Sequence, residues 1–173
     1  MTIRQFNGHY DLREDRIIFK FNTHQDCEYR LILTRFIVEK ILQSVARLIH
    51  NSLEKTHNAQ IAKVIQEFQD DGVEKSANLS QQYLGAQNIP LGENPLLVTG
   101  MRLSYADSHF LISFQLENNK TLNTKLSKEN TQTMRFLLKK LAQKANWQLN
   151  EVGAESDLNW QSPLQINQSI IKH

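Results

Sequence analysis

The residues that could do chemistry crowd around one stretch, Arg16 to Arg35, RIIFKFNTHQDCEYRLILTR, with Glu14 and Asp15 just before it. Ile17, Phe19 and Phe21 alternate with Arg16, Lys20 and Asn22. After a polar turn, Tyr29, Leu31 and Leu33 alternate with Glu28, Arg30 and Ile32. Alternation of period two, twice, reads as a β-hairpin. With Ile17, Phe19, Tyr29 and Leu31 facing a core, Arg16, Lys20 and Arg30 fall on the opposite face of the sheet and Arg35 at its end. These four cations are the candidate binding face. They can contact phosphates, or they can pair across strands with Glu14 and Glu28 for roughly 0.2–1 kcal/mol per pair. Binding single strands also uses aromatic platforms, and the outward positions carry Ile18, Ile32 and Leu111 instead. An apolar face mixed with arginine suits a protein or subunit interface.

Other chemistry is absent at the level of motifs. The six histidines, at 9, 24, 50, 57, 109 and 173, never take the HExxH spacing or a Cys-His pattern. His50 and His57 can share a helical face as a solvated pair. GxSxG, GxxxxGK and GxGxxG do not occur. Asp70-Asp71-Gly72 lacks the alternating oxygens of a calcium loop and reads as a helix end. Cys27 sits in the hairpin turn with no histidine beside it in sequence. The expectation is a chain that is not an enzyme and has no cofactor and no metal.

Bulk properties narrow the class further. At 173 residues and 40% apolar, the chain can bury a sizeable core as one domain or two small repeats. A formal charge of +2, from 20 Lys and Arg against 18 Asp and Glu, predicts no polyanionic partner by itself. The single cysteine excludes an intramolecular disulfide and suits a reducing compartment. No apolar run has the length of a membrane span, and MTIRQFNGHYDLRED has no signal-peptide core. The reading is a soluble, cytoplasmic protein with no membrane partner.

Elements follow in order. Thr2 to Phe6 reads as a short strand broken at Gly8. Thr34 is a natural N-cap, and Val38, Ile41, Leu42, Val45, Leu48 and Ile49 line one helical face. The pattern thins over 50–60 and returns at Ile61 to Phe68. Either one helix runs to about residue 69, or two meet near Asn51 to Asn58. Asp70 to Pro95 holds two of three prolines and three of six glycines, a linker or surface loop with Tyr83, Leu84, Ile89 and Leu91 as anchors. Leu96 to Met101 and Phe110 to Leu116 read as strands, Asn118-Asn119 as a turn, and Thr121 to Leu126 as a returning strand. Ser127 caps a second amphipathic helix of Met134, Leu137, Leu138 and Leu141. The units are thus 1–69, a linker 70–95, 96–147, and an extension 148–173.

A shift of 93 residues lays Ile17, Phe19 and Phe21 on Phe110, Ile112 and Phe114, Thr34 on Ser127, and Ile41, Val45 and Leu48 on Met134, Leu138 and Leu141. Leu31 on Thr124 and Leu42 on Arg135 depart from it. The fold expected is α+β: two pseudo-repeated βββα units, antiparallel sheets packed with a long helix and a shorter one. Strands then helix, repeated, resembles the layout of the Whirly and PUR-type single-stranded nucleic-acid-binding proteins, and the resemblance is topological. Separately, Glu14-Asp15-Arg16, Glu28-Tyr29-Arg30 and Leu33-Thr34-Arg35 are similar to an E-D-R, E-[FY]-R, L-T-R pattern of uncharacterised bacterial proteins, which implies no activity. The function expected is a non-catalytic binding or assembly module, forming a homo-oligomer or meeting a protein partner. The alternative is single-stranded DNA or RNA binding through the basic face of the first hairpin.

Overall fold

The computed structural model describes residues 2–54, 82–106 and 109–149. Three strands and a helix are followed by three strands and a helix. They are β1 (Ile3–Asp11), β2 (Arg16–Thr23), β3 (Glu28–Leu33), α1 (Arg35–Glu54), β4 (Leu96–Ala106), β5 (His109–Leu116), β6 (Thr121–Leu126) and α2 (Lys128–Lys144). The protein is α+β. The expected pair of antiparallel sheets is corrected, because all six strands form one mixed sheet in the order β1-β2-β3-β4-β5-β6. The joint is parallel, through Leu31 opposite Leu96 and Ile32 opposite Leu97. The chain leaves β3 through a helix and re-enters beside it in the same direction, so β3 and β4 cover each other's edges and the strand triplets share one core.

That core is continuous. Ile17, Phe19, Phe21, Leu31 and Leu33 meet Val38, Ile41, Leu42 and Val45 of α1, and the same cluster includes Ile112, Phe114 and Leu126 with Met134, Leu138 and Leu141 of α2. Each buried leucine, isoleucine or phenylalanine contributes about 1.5–3 kcal/mol by leaving water. α1 packs across β4, α2 packs across β1, and the helices touch each other. Both therefore lie on one side of the sheet.

Two strands are longer than the alternation predicts. β1 runs through Gly8, which faces the core opposite Phe19. A Cβ there would stand 2.8 Å from Leu141 Cδ1 and 3.1 Å from the Ile18 carbonyl oxygen, so the glycine admits α2 rather than breaking the strand. β4 continues past Met101 to Ala106.

The registers of the two triplets coincide. Every β2–β3 pair, from Ile17 opposite Leu33 to Asn22 opposite Glu28, has its β5–β6 counterpart 93 residues on, from Phe110 opposite Leu126 to Gln115 opposite Thr121. Both first strands shift register at the same place, between Ile3 and Gln5 and between Val98 and Gly100. The hairpin turns match as well. Thr23 N–H donates to Cys27 O and Asp26 N–H to Thr23 O, while Leu116 N–H donates to Lys120 O and Asn119 N–H to Leu116 O. Asp26 and Asn119 both take positive φ, 56° and 61°, a conformation that Asp and Asn tolerate best after glycine. Thr34 and Ser127 are both caps, their hydroxyls accepting from Ile37 N–H at 3.3 Å and Asn130 N–H at 3.1 Å.

The path of the first helix toward residue 69, the segment 70–81 and the extension after Leu149 lie outside the described residues. Among those described, no helix is long and apolar enough to cross a membrane.

Candidate functional site

With both helices on one side, the other side of the sheet is the surface on which the sequence placed its binding face. Registers arrange it in rows. Across β1, β2 and β3 these are Gln5–Asn22–Glu28, Asn7–Lys20–Arg30, His9–Ile18–Ile32 and, on β1 and β2, Asp11–Arg16. Leu97 of β4 continues the Ile18–Ile32 row.

The four sequence-predicted cations are not gathered together. Lys20 and Arg30 stand directly opposite each other, a like-charge arrangement that costs stability unless it is compensated. Arg30 Nε donates to Glu28 Oε1 at 2.6 Å, and its Nη1 donates to the Glu93 carbonyl at 2.8 Å. Arg16 lies two alternations along β2 from Lys20, roughly 13 Å away, and meets Glu14 at 3.7 Å. These ion pairs run along the chain, where the sequence reading expected them across strands. Side chains two apart on a strand share a face, so Glu28 reaches Arg30 without leaving its own strand. Arg35 lies elsewhere, its Nη2 donating to the Gln148 carbonyl at 2.6 Å.

Residues 82–95, expected as part of a linker or surface loop, form a strap over this face. Asn22 Nδ2 donates to the Leu84 carbonyl. Leu84 N–H donates to Gln5 Oε1 at 3.2 Å, and Gln5 Nε2 donates to the Gln82 carbonyl at 3.5 Å. At the edge of β3, Glu28 N–H donates to Asn88 O at 2.8 Å and Asn88 N–H to Asp26 O at 3.2 Å. The strap thus crosses from β1 to the start of β4 and buries the row beneath it, leaving Asn22 1% and Glu28 3% exposed. Tyr83 reaches down beside Glu28. Burial first, and then the neighbouring carboxylate, push its phenol far above the ordinary tyrosine range, with Arg30 opposing. Among the described residues its hydroxyl, like Asn22 Oδ1, finds no hydrogen-bond partner.

The outer face of the second triplet has no such strap among the described residues. Its rows are Gly100–Gln115–Thr121, Arg102–Ser113–Asn123 and Ser104–Leu111–Lys125. Arg102 was missed in the sequence because β4 was ended at Met101. The signal was there, since Leu103 and Tyr105 continue the alternation with Arg102 and Ser104 between them. Leu111 does not join Ile18 and Ile32: it lies opposite Ser104, seven residues and roughly 23 Å along β4 from Leu97.

A second polar cluster closes the molecule at the β1–β2 turn. Tyr10 hydroxyl and Trp147 Nε1–H both donate to Asp15 Oδ1, at 2.7 Å and 2.8 Å, and the two rings meet edge to face at 5.9 Å. The Tyr10 hydrogen bond, then that of Trp147, hold the Asp15 carboxyl below the usual carboxylate range, with Arg35 adding to them. Tyr10 is raised in turn by the same bond. The cluster ties the β1–β2 turn to the segment just past α2. No three His, Cys, Asp or Glu side chains among the described residues converge to hold a metal ion. Comparison with family models, with curated proteins and with solved structures finds no match.

Proposed function

We propose that this chain is a non-catalytic binding or assembly module of the cytoplasm that works through the outer face of its sheet. The observation that carries the reading is the row Ile18–Ile32–Leu97, three half-buried apolar side chains aligned across three strands on the face the helices leave uncovered. Lys20 and Arg30 flank it on one side and Arg16 on the other. Apolar residues rimmed by arginine are what an interface core and rim contain. The partner proposed first is a second copy. Size-exclusion chromatography with light scattering at tens of micromolar tests this. The wild type runs as an oligomer, and Ile18→Asp with Ile32→Asp runs as a folded monomer. A monomeric wild type removes the assembly claim.

The matching registers, turns and caps also support an origin of the two halves by internal duplication. A second reading, single-stranded DNA or RNA binding, is favoured by one observation: Arg102 and Lys125 share the face of Lys20, Arg30 and Arg16, although Arg35 does not. Fluorescence anisotropy with labelled oligonucleotides across a salt series decides it, because phosphate binding weakens steeply with salt. Binding that Lys20→Ala with Arg102→Ala leaves unchanged removes this reading.

A further inference from the structure

The first half shows what a row of this outer face holds. Its strap is bound through backbone: the Asn22 side-chain amide donates to the Leu84 carbonyl, and Gln5 accepts from Leu84 N–H and donates to the Gln82 carbonyl. Hydrogen bonds to main-chain groups do not depend on the sequence that supplies them, so the row is built for extended chain as such.

The second half presents the same row in the same register. Gln115 stands where Asn22 does, Thr121 where Glu28 does and Gly100 where Gln5 does, beside a hairpin turn of the same hydrogen bonding. Gln115 and Thr121 are exposed, whereas Asn22 and Glu28 are covered. Further polar groups adjoin it. Thr99, at the register shift, donates to the Gln115 carbonyl at 3.3 Å, and Ser113 Oγ lies 2.6 Å from Asn123 Oδ1 in the next row. β4, β5 and β6 contain no Asp or Glu, and Arg102 and Lys125 face outward from them; the carboxylate of Glu117, just past β5, is already engaged, its Oε1 accepting from Leu97 N–H at 3.0 Å.

We propose that the Gly100–Gln115–Thr121 row is a docking site for an extended acidic peptide segment of a partner protein. Its main chain is held by the Gln115 amide as the strap is held by Asn22, and its carboxylates face Arg102 and Lys125. The absence of a buried carboxylate at Thr121 removes the need for a residue like Tyr83. The proposal rests on the outer face being the working surface, and it adds the site and the partner's chemistry.

The test pans the full-length chain against phage-displayed random dodecapeptides and measures the selected peptides by anisotropy. Acidic peptides are enriched. Gln115→Ala weakens them roughly five- to tenfold, as the loss of one or two backbone hydrogen bonds does, and Arg102→Ala weakens them and flattens their salt dependence. Ile18→Asp leaves peptide binding intact, so loss of assembly and loss of docking are separate results. No enrichment, or peptides that bind Gln115→Ala and Arg102→Ala like wild type, would overturn the proposal. So would a synthetic peptide of residues 150–173 that takes the Gln115-dependent site, because the occupant would then be the chain's own end.

Discussion

Taken row against row, the two halves agree on the side facing the helices and diverge on the side facing out. Inside, Phe19 and Phe21 find counterparts in Ile112 and Phe114, and even the departures stay buried: Thr124 in place of Leu31 is 5% exposed and Arg135 in place of Leu42 is 6%. Outside, the first half carries Lys20, Arg30, Glu28 and a strap, whereas the second carries Gln115, Ser113, Asn123 and Thr121 with nothing over them among the described residues. A shared core constrains both inner faces at once, because every inward side chain must fit the same two helices. The outer rows meet no such demand, and there the halves present different surfaces.

A third inward position departs as well, and exchanging it has the largest expected effect. Gly8 and Leu103 occupy equivalent core-facing sites, opposite Phe19 and Ile112. Gly8→Leu forces α2 off β1 and costs about 3 kcal/mol, read by calorimetry as a fall in Tm of roughly 6–12 °C. An unchanged Tm would mean that α2 does not cross there. On the outer face, Glu28→Ala removes the buried carboxylate to which Arg30 Nε donates and costs roughly 1–3 kcal/mol, while its counterpart Thr121→Ala stays within about 0.5 kcal/mol. Urea denaturation of the two variants measures the asymmetry, and equal losses would erase it. Thr34→Ala and Ser127→Ala each cost about 1 kcal/mol and add in the double variant. A large difference between the two would show that the caps, alike in geometry, are unlike in energy.

The smallest effect at neutral pH belongs to the Asp15 clasp at the β1–β2 turn. Its carboxyl is held below the ordinary 3.8, so what it adds to stability is complete above that value and disappears as pH falls through the lower folded one. Asp15→Asn removes that part of the acid dependence, followed by tryptophan fluorescence through Trp147. An acid-unfolding profile identical to wild type would assign the dependence to other carboxylates.

Much of this was legible before any coordinates. Period-two alternation is local, so Ile17, Phe19 and Phe21 named their own face, and the caps at Thr34 and Ser127 were readable because a hydroxyl needs only the next turn of helix as partner. Gly8 misled, since a glycine that ends a strand and one that admits a helix look alike until Leu141 is known to lie above it. The four cations misled in the same way. Their outward direction followed from alternation, but Arg30 is engaged by Glu93 of the strap and Arg35 by Gln148, 63 and 113 residues away along the chain.

The sequence by itself determined the strand and helix order, which side of each element is apolar, where each helix begins and the 93-residue correspondence, because these are set by interactions among near neighbours. Only the tertiary structure decided that the triplets join through a parallel β3–β4 pair into one sheet, that both helices share a side, and that residues 82–95 cover the outer face of the first triplet and not that of the second. Those outcomes depend on contacts between distant segments, whose partners no local pattern names.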